Sequence, residues 1–187
     1  MKIALVIGHR ASAPGAYGSA GVPEWHFWND AVSEILSRVN VPSSDIKVFY
    51  RKEKGTGYNQ RMVDLHKEID EWGADISISF HFNAASNPSA NGHEVLYCSS
   101  SFTSKKLAEQ MNSIFSRKLS NKDRGIKPRL KKERGGGFLC RGKSRCILVE
   151  PFFASHQHEY IRGGLNREAL ISSFVEFIEN PNLVSPV

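Results

Sequence analysis

Short apolar runs alternate with longer amphipathic stretches along almost the whole chain. Residues 2–8 are apolar apart from Lys2 and Gly8 and predict a buried strand. Residues 24–39 carry Trp25, Trp28, Val32, Ile35, Leu36 and Val39 at helical spacing, with Pro23 suited to the first turn. A second strand is predicted over 46–50. A second helix follows over 58–72, striped by Met62, Leu65, Ile69 and Trp72 and stopped by Gly73. His66 flanks that stripe and is expected at the surface. Strands are predicted over 75–83 and 93–98, and a helix over 103–119 around Leu107, Met111, Ile114 and Phe115. Pro128 and the triplet Gly135-Gly136-Gly137 make part of the next stretch loop. A short strand is expected over 138–141, a last core strand over 146–152, and a closing helix interrupted at Gly163-Gly164.

This alternation predicts an α/β fold: a single three-layer domain with a twisted, mostly parallel sheet of about six strands and helices on both faces. The domain is expected over residues 1–180, with a loose tail over 181–187. A chain of 187 residues builds one real core, and two full domains would be tight. With 40% hydrophobic and 24% charged residues, the composition is globular rather than disordered. No apolar run is long enough to cross a bilayer. The first apolar run stops too early for a signal peptide, and no small-residue cleavage site follows it. Synthesis in a cytoplasm is therefore expected. Cys98, Cys140 and Cys146 are an odd, sparse set, expected as free thiols in a reducing compartment.

Charge adds a claim about partners. The net charge is +6, but twelve Lys or Arg between Arg117 and Arg145 meet only Asp123 and Glu133, so that segment carries +10 and the remainder −4. Acidic polymers are the candidate partners, an anionic surface or nucleic acid among them. A solvated basic loop is the alternative. Phe138 is the one aromatic among these charges, so stacked single-strand recognition is unsupported and no nucleic-acid partner is expected.

Candidate chemistry sits at strand ends. The first strand ends at Gly8-His9. In the third, Ile76, Ile78, Phe80 and Phe82 share one face, and Ser77, Ser79, His81 and Asn83 share the other. The last strand places Glu150 inside an apolar run. Ligands gather at the carboxyl ends of parallel strands. Two His and a Glu form a metal-site composition, and a carboxylate in an apolar setting calls for a nearby cation. Glu24 opens the first helix, where the macrodipole favours a carboxylate. Helical turns from it reach Trp28, Ala31 and Ile35, the buried side. His26 steps onto Asp30, Ser33 and Ser37 and should face solvent. Taken singly, each residue also fits a structural role: a strand-end His, a helix N-terminal charge, half of a buried ion pair.

At these residues the chain resembles the zinc-dependent N-acetylmuramoyl-L-alanine amidases of the type-3 class. Gly8-His9 with Gly15-Ala16 is similar to the opening zinc-His loop, and Glu24 with Asn29 to the second ligand and its helix. Arg61 sits in the second helix as in the family. Ile78-Ser79-Phe80-His81-Phe82-Asn83-Ala84 resembles the Ser-Ile-His-x-Asn-Ala strand, and Gly92-His93-Glu94 the Gly-x-Glu. Arg124-Gly125-Ile126-Lys127 is similar to Arg-Gly-x-Lys, and Leu148-Val149-Glu150 to the Leu-Val-Glu that carries the catalytic Glu. The likeness runs from residue 3 to about 178. It implies one Zn2+ held by His9, Glu24 and His81, Glu150 as the catalytic carboxylate, and hydrolysis of the bond between N-acetylmuramic acid and L-alanine in peptidoglycan. Asn83, Arg10 and His156, close in sequence to these residues, are candidates for substrate contact.

Three departures bear on substrate detail. Arg10 stands where the family has Gly-Gly, Phe152-Phe153 replaces Gly-Phe, and residues 131–142 are unusually basic and Gly-rich. The resemblance implies a phage-type endolysin as the setting, made in a host or bacterial cytoplasm and acting at the cell wall after release. A bacterial autolysin or sporulation amidase is an alternative, as is a zinc amidohydrolase of free peptides or acyl amino acids. A non-catalytic wall-binding or nucleic-acid-binding module would have no need of Glu150.

Overall fold

The computed structural model describes residues 1–53, 57–87, 89–161 and 167–182. The expected break at Gly163-Gly164 and the tail beyond Asn182 lie outside the described residues. Strands β1 (Ile3–Ile7), β2 (Ile46–Tyr50), β3 (Ile76–Phe80), β4 (His93–Cys98), β5 (Asp123–Arg129) and β6 (Arg145–Glu150) form one sheet. Its order is β2-β1-β3-β6-β4-β5. The neighbours β2, β1, β3 and β6 are parallel; β4 runs antiparallel to β6, and β5 follows β4. One edge of the sheet therefore collects the carboxyl ends of β1, β3 and β6 and the amino end of β4.

The pleat sorts each strand's residues into two cores. On one face, Ile3, Leu5, Ile7, Ile76, Ile78, Phe80, Ile147 and Val149 pack against α1 (Glu24–Arg38), α3 (Phe102–Lys118) and α6 (Glu168–Glu179). Trp28 is fully buried there between Phe80 and Phe174. A side chain buried this completely contributes about 1.5–3 kcal/mol. On the other face, Ala4, Val6, Leu96, Cys146 and Leu148 meet α2 (Tyr58–Trp72) and the single turn α4 (Gly136–Leu139). The three layers match the expected class. Gly73 closes α2 in the left-handed conformation, its N–H donating to the Ile69 and Asp70 carbonyls. A last short turn, α5 (Gln157–Glu159), follows β6.

Four expectations are corrected. Residues 123–129 form β5, whereas no strand is predicted there. Pro128 is tolerated because β5 is an edge strand, paired on one side only. Residues 138–141 do not form a strand: Leu139 N donates to Gly135 O and Cys140 N to Gly136 O, closing a helical turn. No place in the sheet beside β4 is open to it, since β5 and β6 already flank that strand. Cys98 and Cys140 are not free thiols but a disulfide joining the end of β4 to the end of α4, and only Cys146 stays a buried thiol. A disulfide belongs to an oxidising setting, so the cysteines no longer imply a reducing one. His66 is buried, 2% exposed, because α4 lays Phe138 over it at 5.0 Å.

Candidate metal and carboxylate site

Three side chains converge where β1 and β3 end and α1 begins. His9, Glu24 and His81 each offer one ligand atom, and these lie within 4.8 Å of one another. Glu24 Oε1 stands 2.9 Å from His81 Nδ1, and Glu24 Oε2 3.3 Å from His9 Nε2. Each residue arrives by a local rule. His81 is next in the polar row of β3 and stays in register through its N–H to the Val149 carbonyl. Glu24 is the first residue of α1, turned inward with Trp28, Ala31 and Ile35, while His26 is exposed. Gly8 and Gly15 make the room. A Cβ on Gly8 would stand 2.1 Å from His81 Nε2, and one on Gly15, at φ +85°, would stand 2.6 Å from Glu24 Oε2.

The electrostatics suit a cation. Burial works to raise the Glu24 carboxyl, but the hydrogen bond and charge of His81, the charge of His9 and the Phe82 N–H outweigh it and hold the carboxyl below its usual range. Burial lowers His9 to about 4 against the pull of Glu24, so the ring is neutral at ordinary pH, as a metal ligand must be. Two imidazoles and one buried carboxylate form a donor set that zinc accepts.

Glu150 ends β6 directly across from Glu94 of β4. Burial, then the neighbouring Glu94 charge, raise Glu150 above the carboxylate range. Glu94 goes the other way: burial opposes ionisation, but Arg124 Nε donates to Glu94 Oε2 at 2.8 Å and Asn83 Nδ2 to Oε1 at 3.2 Å, holding it ionised. Two carboxyls in such unequal surroundings hold one proton between them, and it sits on Glu150.

The site residues expected from sequence do not all meet. His9, His81, Asn83 and Glu150 line one cavity of about 450 Å³, with Glu24 behind them. Asn83 points its amide at Glu94. Arg10 turns away, donating to the Glu53 carbonyl, while the Glu53 carboxylate takes the Ala11 and Ser12 N–H groups. His156 caps α5 and lines a different cavity beside Phe152 and Asn121. Glu94, Arg124 and Arg51 are additions. Glu94 and Arg124 lie within motifs that carry the family likeness, yet their pairing depends on β4 and β5 being neighbours. Arg51 donates to the Gly8 carbonyl and lies over the Tyr58 ring. The basic segment is also divided by the fold: Arg117 and Lys118 pair with Glu176 and Arg124 with Glu94, while Arg129, Lys132 and Arg134 line the 450 Å³ cavity. Among the described residues, no helix is long and apolar enough to cross a membrane.

A family model described as N-acetylmuramoyl-L-alanine amidase matches residues 3–179. Solved structures share the fold. The CwlD amidase of Clostridioides difficile, solved in complex with the GerS lipoprotein, superposes with a TM-score of 0.75 at 20% identity, over 95% of this chain and 96% of that one. The catalytic domain of the CD27L endolysin targeting Clostridia difficile gives 0.71 at 23% identity, over 97% and 99%. An N-acetylmuramoyl-L-alanine amidase from Clostridium difficile 630 gives 0.72 at 19%, over 97% and 98%. No curated protein sequence matches.

Proposed function

Because the chain belongs to the N-acetylmuramoyl-L-alanine amidase family, we propose that it cleaves the amide joining the lactyl group of N-acetylmuramic acid to L-alanine in peptidoglycan with one zinc ion held by His9, Glu24 and His81. Membership makes it a peptidoglycan amidase; the zinc and the residue roles are the reading added here. The observation that carries them is the closeness of three ligand atoms, within 4.8 Å, at the end of a cavity that Glu150 also lines.

When bound at such a site, zinc supplies Lewis acidity toward a carbonyl oxygen and toward water. The protein's own groups do the rest. Once its own proton has left, which a cation held by His9, Glu24 and His81 would favour, Glu150 accepts the proton of the attacking water and delivers it to the departing alanine nitrogen. Its raised affinity for a proton brings it closer to neutrality, which suits transfer in both directions. Burial first, and then the ionised Glu94, raise that affinity; Arg124 and Asn83 hold Glu94, and Arg51 fixes the loop after β1 through the Gly8 carbonyl. Glu24 orients both imidazoles.

The test is digestion of purified peptidoglycan with and without a chelator, with the products identified by mass spectrometry. New L-alanine amino termini that disappear on chelation are expected. New reducing sugar ends would overturn the reading. As for setting, we read the chain as an endolysin-type lysin. Its likeness in fold to the CD27L catalytic domain supports that, and the likeness to the CwlD amidase of Clostridioides difficile gives a bacterial amidase the same support.

A further inference from the structure

The cavity at the site does not stop at the catalytic carboxyl. It continues as a groove between α2 and the segment joining β5 to α4. Its floor is apolar, built by Val6, Leu96 and Leu148 of the sheet with Met62 and Leu65 of α2. Cations stand along its walls. Arg51 is on the α2 side; Arg129, Lys132 and Arg134 are on the other. Among the described residues, neither Lys132 nor Arg134 forms an ion pair, and both are exposed. The one carboxylate in their loop, Glu133, is engaged by the Leu130 N–H at 2.7 Å.

The wall is built rather than loose. Gly136 N donates to Glu133 O and Glu133 N to Leu130 O. Gly135 takes φ +83°, and a Cβ on Gly136 would stand 1.9 Å from the Leu130 carbonyl oxygen, so the loop closes on itself more tightly than other residues allow. The Cys98–Cys140 disulfide anchors its far end to β4. Arg134 is close enough for its charge to act on Glu150.

The substrate's two halves differ in charge. Once the lactyl carboxyl of muramic acid is in the amide bond, the sugar half carries no charge, whereas a peptide carries at least its terminal carboxylate. A groove of about 450 Å³ has the size to take a short peptide. We infer that this groove is the subsite for the peptide half of the substrate, and that Arg134, with Lys132 beside it, reads a carboxylate of that peptide. Arg134 is thus a specificity-determining residue supplied by the basic, Gly-rich stretch that departs from the family pattern. The inference rests on the amidase reading.

The experiment compares two soluble substrates, an N-acetylmuramoyl-L-alanyl peptide with a free carboxylate on the residue after alanine or at its end, and the same peptide with every carboxyl converted to carboxamide. The zinc-loaded wild type should prefer the carboxylate form by about tenfold or more in kcat/KM, the worth of one charged hydrogen bond. Arg134→Gln with Lys132→Gln should remove that preference, read as the ratio of kcat/KM for the two substrates, so that any effect on Glu150 common to both cancels. Arg134→Glu should invert it. Thermal melts matching wild type confirm that the variants are folded. A wild type that cleaves both forms equally, or a double variant that keeps the preference, overturns the inference while the amidase reading stands. A wild type that cleaves neither overturns both.

Discussion

At the scale of single residues, the site depends on contacts with no slack. Gly8→Ala would press its methyl onto His81, so zinc affinity should fall by more than about tenfold, read by competition against a chromogenic chelator. Unchanged affinity would mean that His81 does not need its present position. His66 carries a second prediction. Burial, with the Arg141 charge, lowers it to about 4 from 6.5 against the raising pull of Phe138 and Asp70. The unfolded chain therefore takes up a proton from pH 6.5 downward that the folded chain refuses until about pH 4. Stability from this group is complete above the unfolded value and is lost as pH falls through that window. His66→Leu should flatten the fall in stability between pH 6.5 and 4 in denaturant melts, and an unchanged slope would assign it to other groups. The sequence made some of this readable and some not. His81 was legible from strict alternation along β3, and Glu24 from helical geometry that also set His26 aside. Glu94 was not, because its meaning comes from Glu150 across a strand pair. His66 was misplaced because the turn that covers it has no helical period.

At the scale of elements, periodicity located every strand with two apolar faces and every long helix. It failed where neighbours decide. β5 has few buried side chains and contains Pro128, so nothing in its own pattern marks a strand; only its position at the sheet edge permits one. α4 is one turn long, too short for a period, and its conformation follows from packing on α2 and from the bond to Cys98. That bond spans 42 residues, including α3 and β5. Closing a loop of that length in the unfolded chain stabilises the fold by up to about 4 kcal/mol. Reduction, or Cys98→Ser with Cys140→Ser, should therefore lower the denaturant midpoint without changing the secondary structure seen by circular dichroism. An equal midpoint with and without reductant would show that the cross-link contributes nothing.

At the scale of the molecule, the α/β class and the gathering of ligands at one sheet edge were legible because parallel strands can only end together. The reversal of β4 and β5 was not, yet it brings Glu94 to the same edge as Glu150. The uneven charge also acquires a shape. The basic segment is not a single patch: part of it neutralises acidic groups of α6 and β4, and part turns into the groove. We propose that what remains outward makes an electrostatic contact with anionic cell walls. Digestion of whole walls should then slow as salt rises through about 0.1 M, where screening reaches the spacing of surface charges, and a rate independent of salt would argue against that contact. The account as a whole turns on one carboxyl. Glu150→Gln keeps the size and burial of the side chain and removes the carboxyl that takes up and gives back a proton. Its turnover of peptidoglycan, measured on protein shown by elemental analysis to carry one zinc per chain, should fall by at least about a hundredfold. Zinc-loaded Glu150→Gln with wild-type turnover would contradict the account.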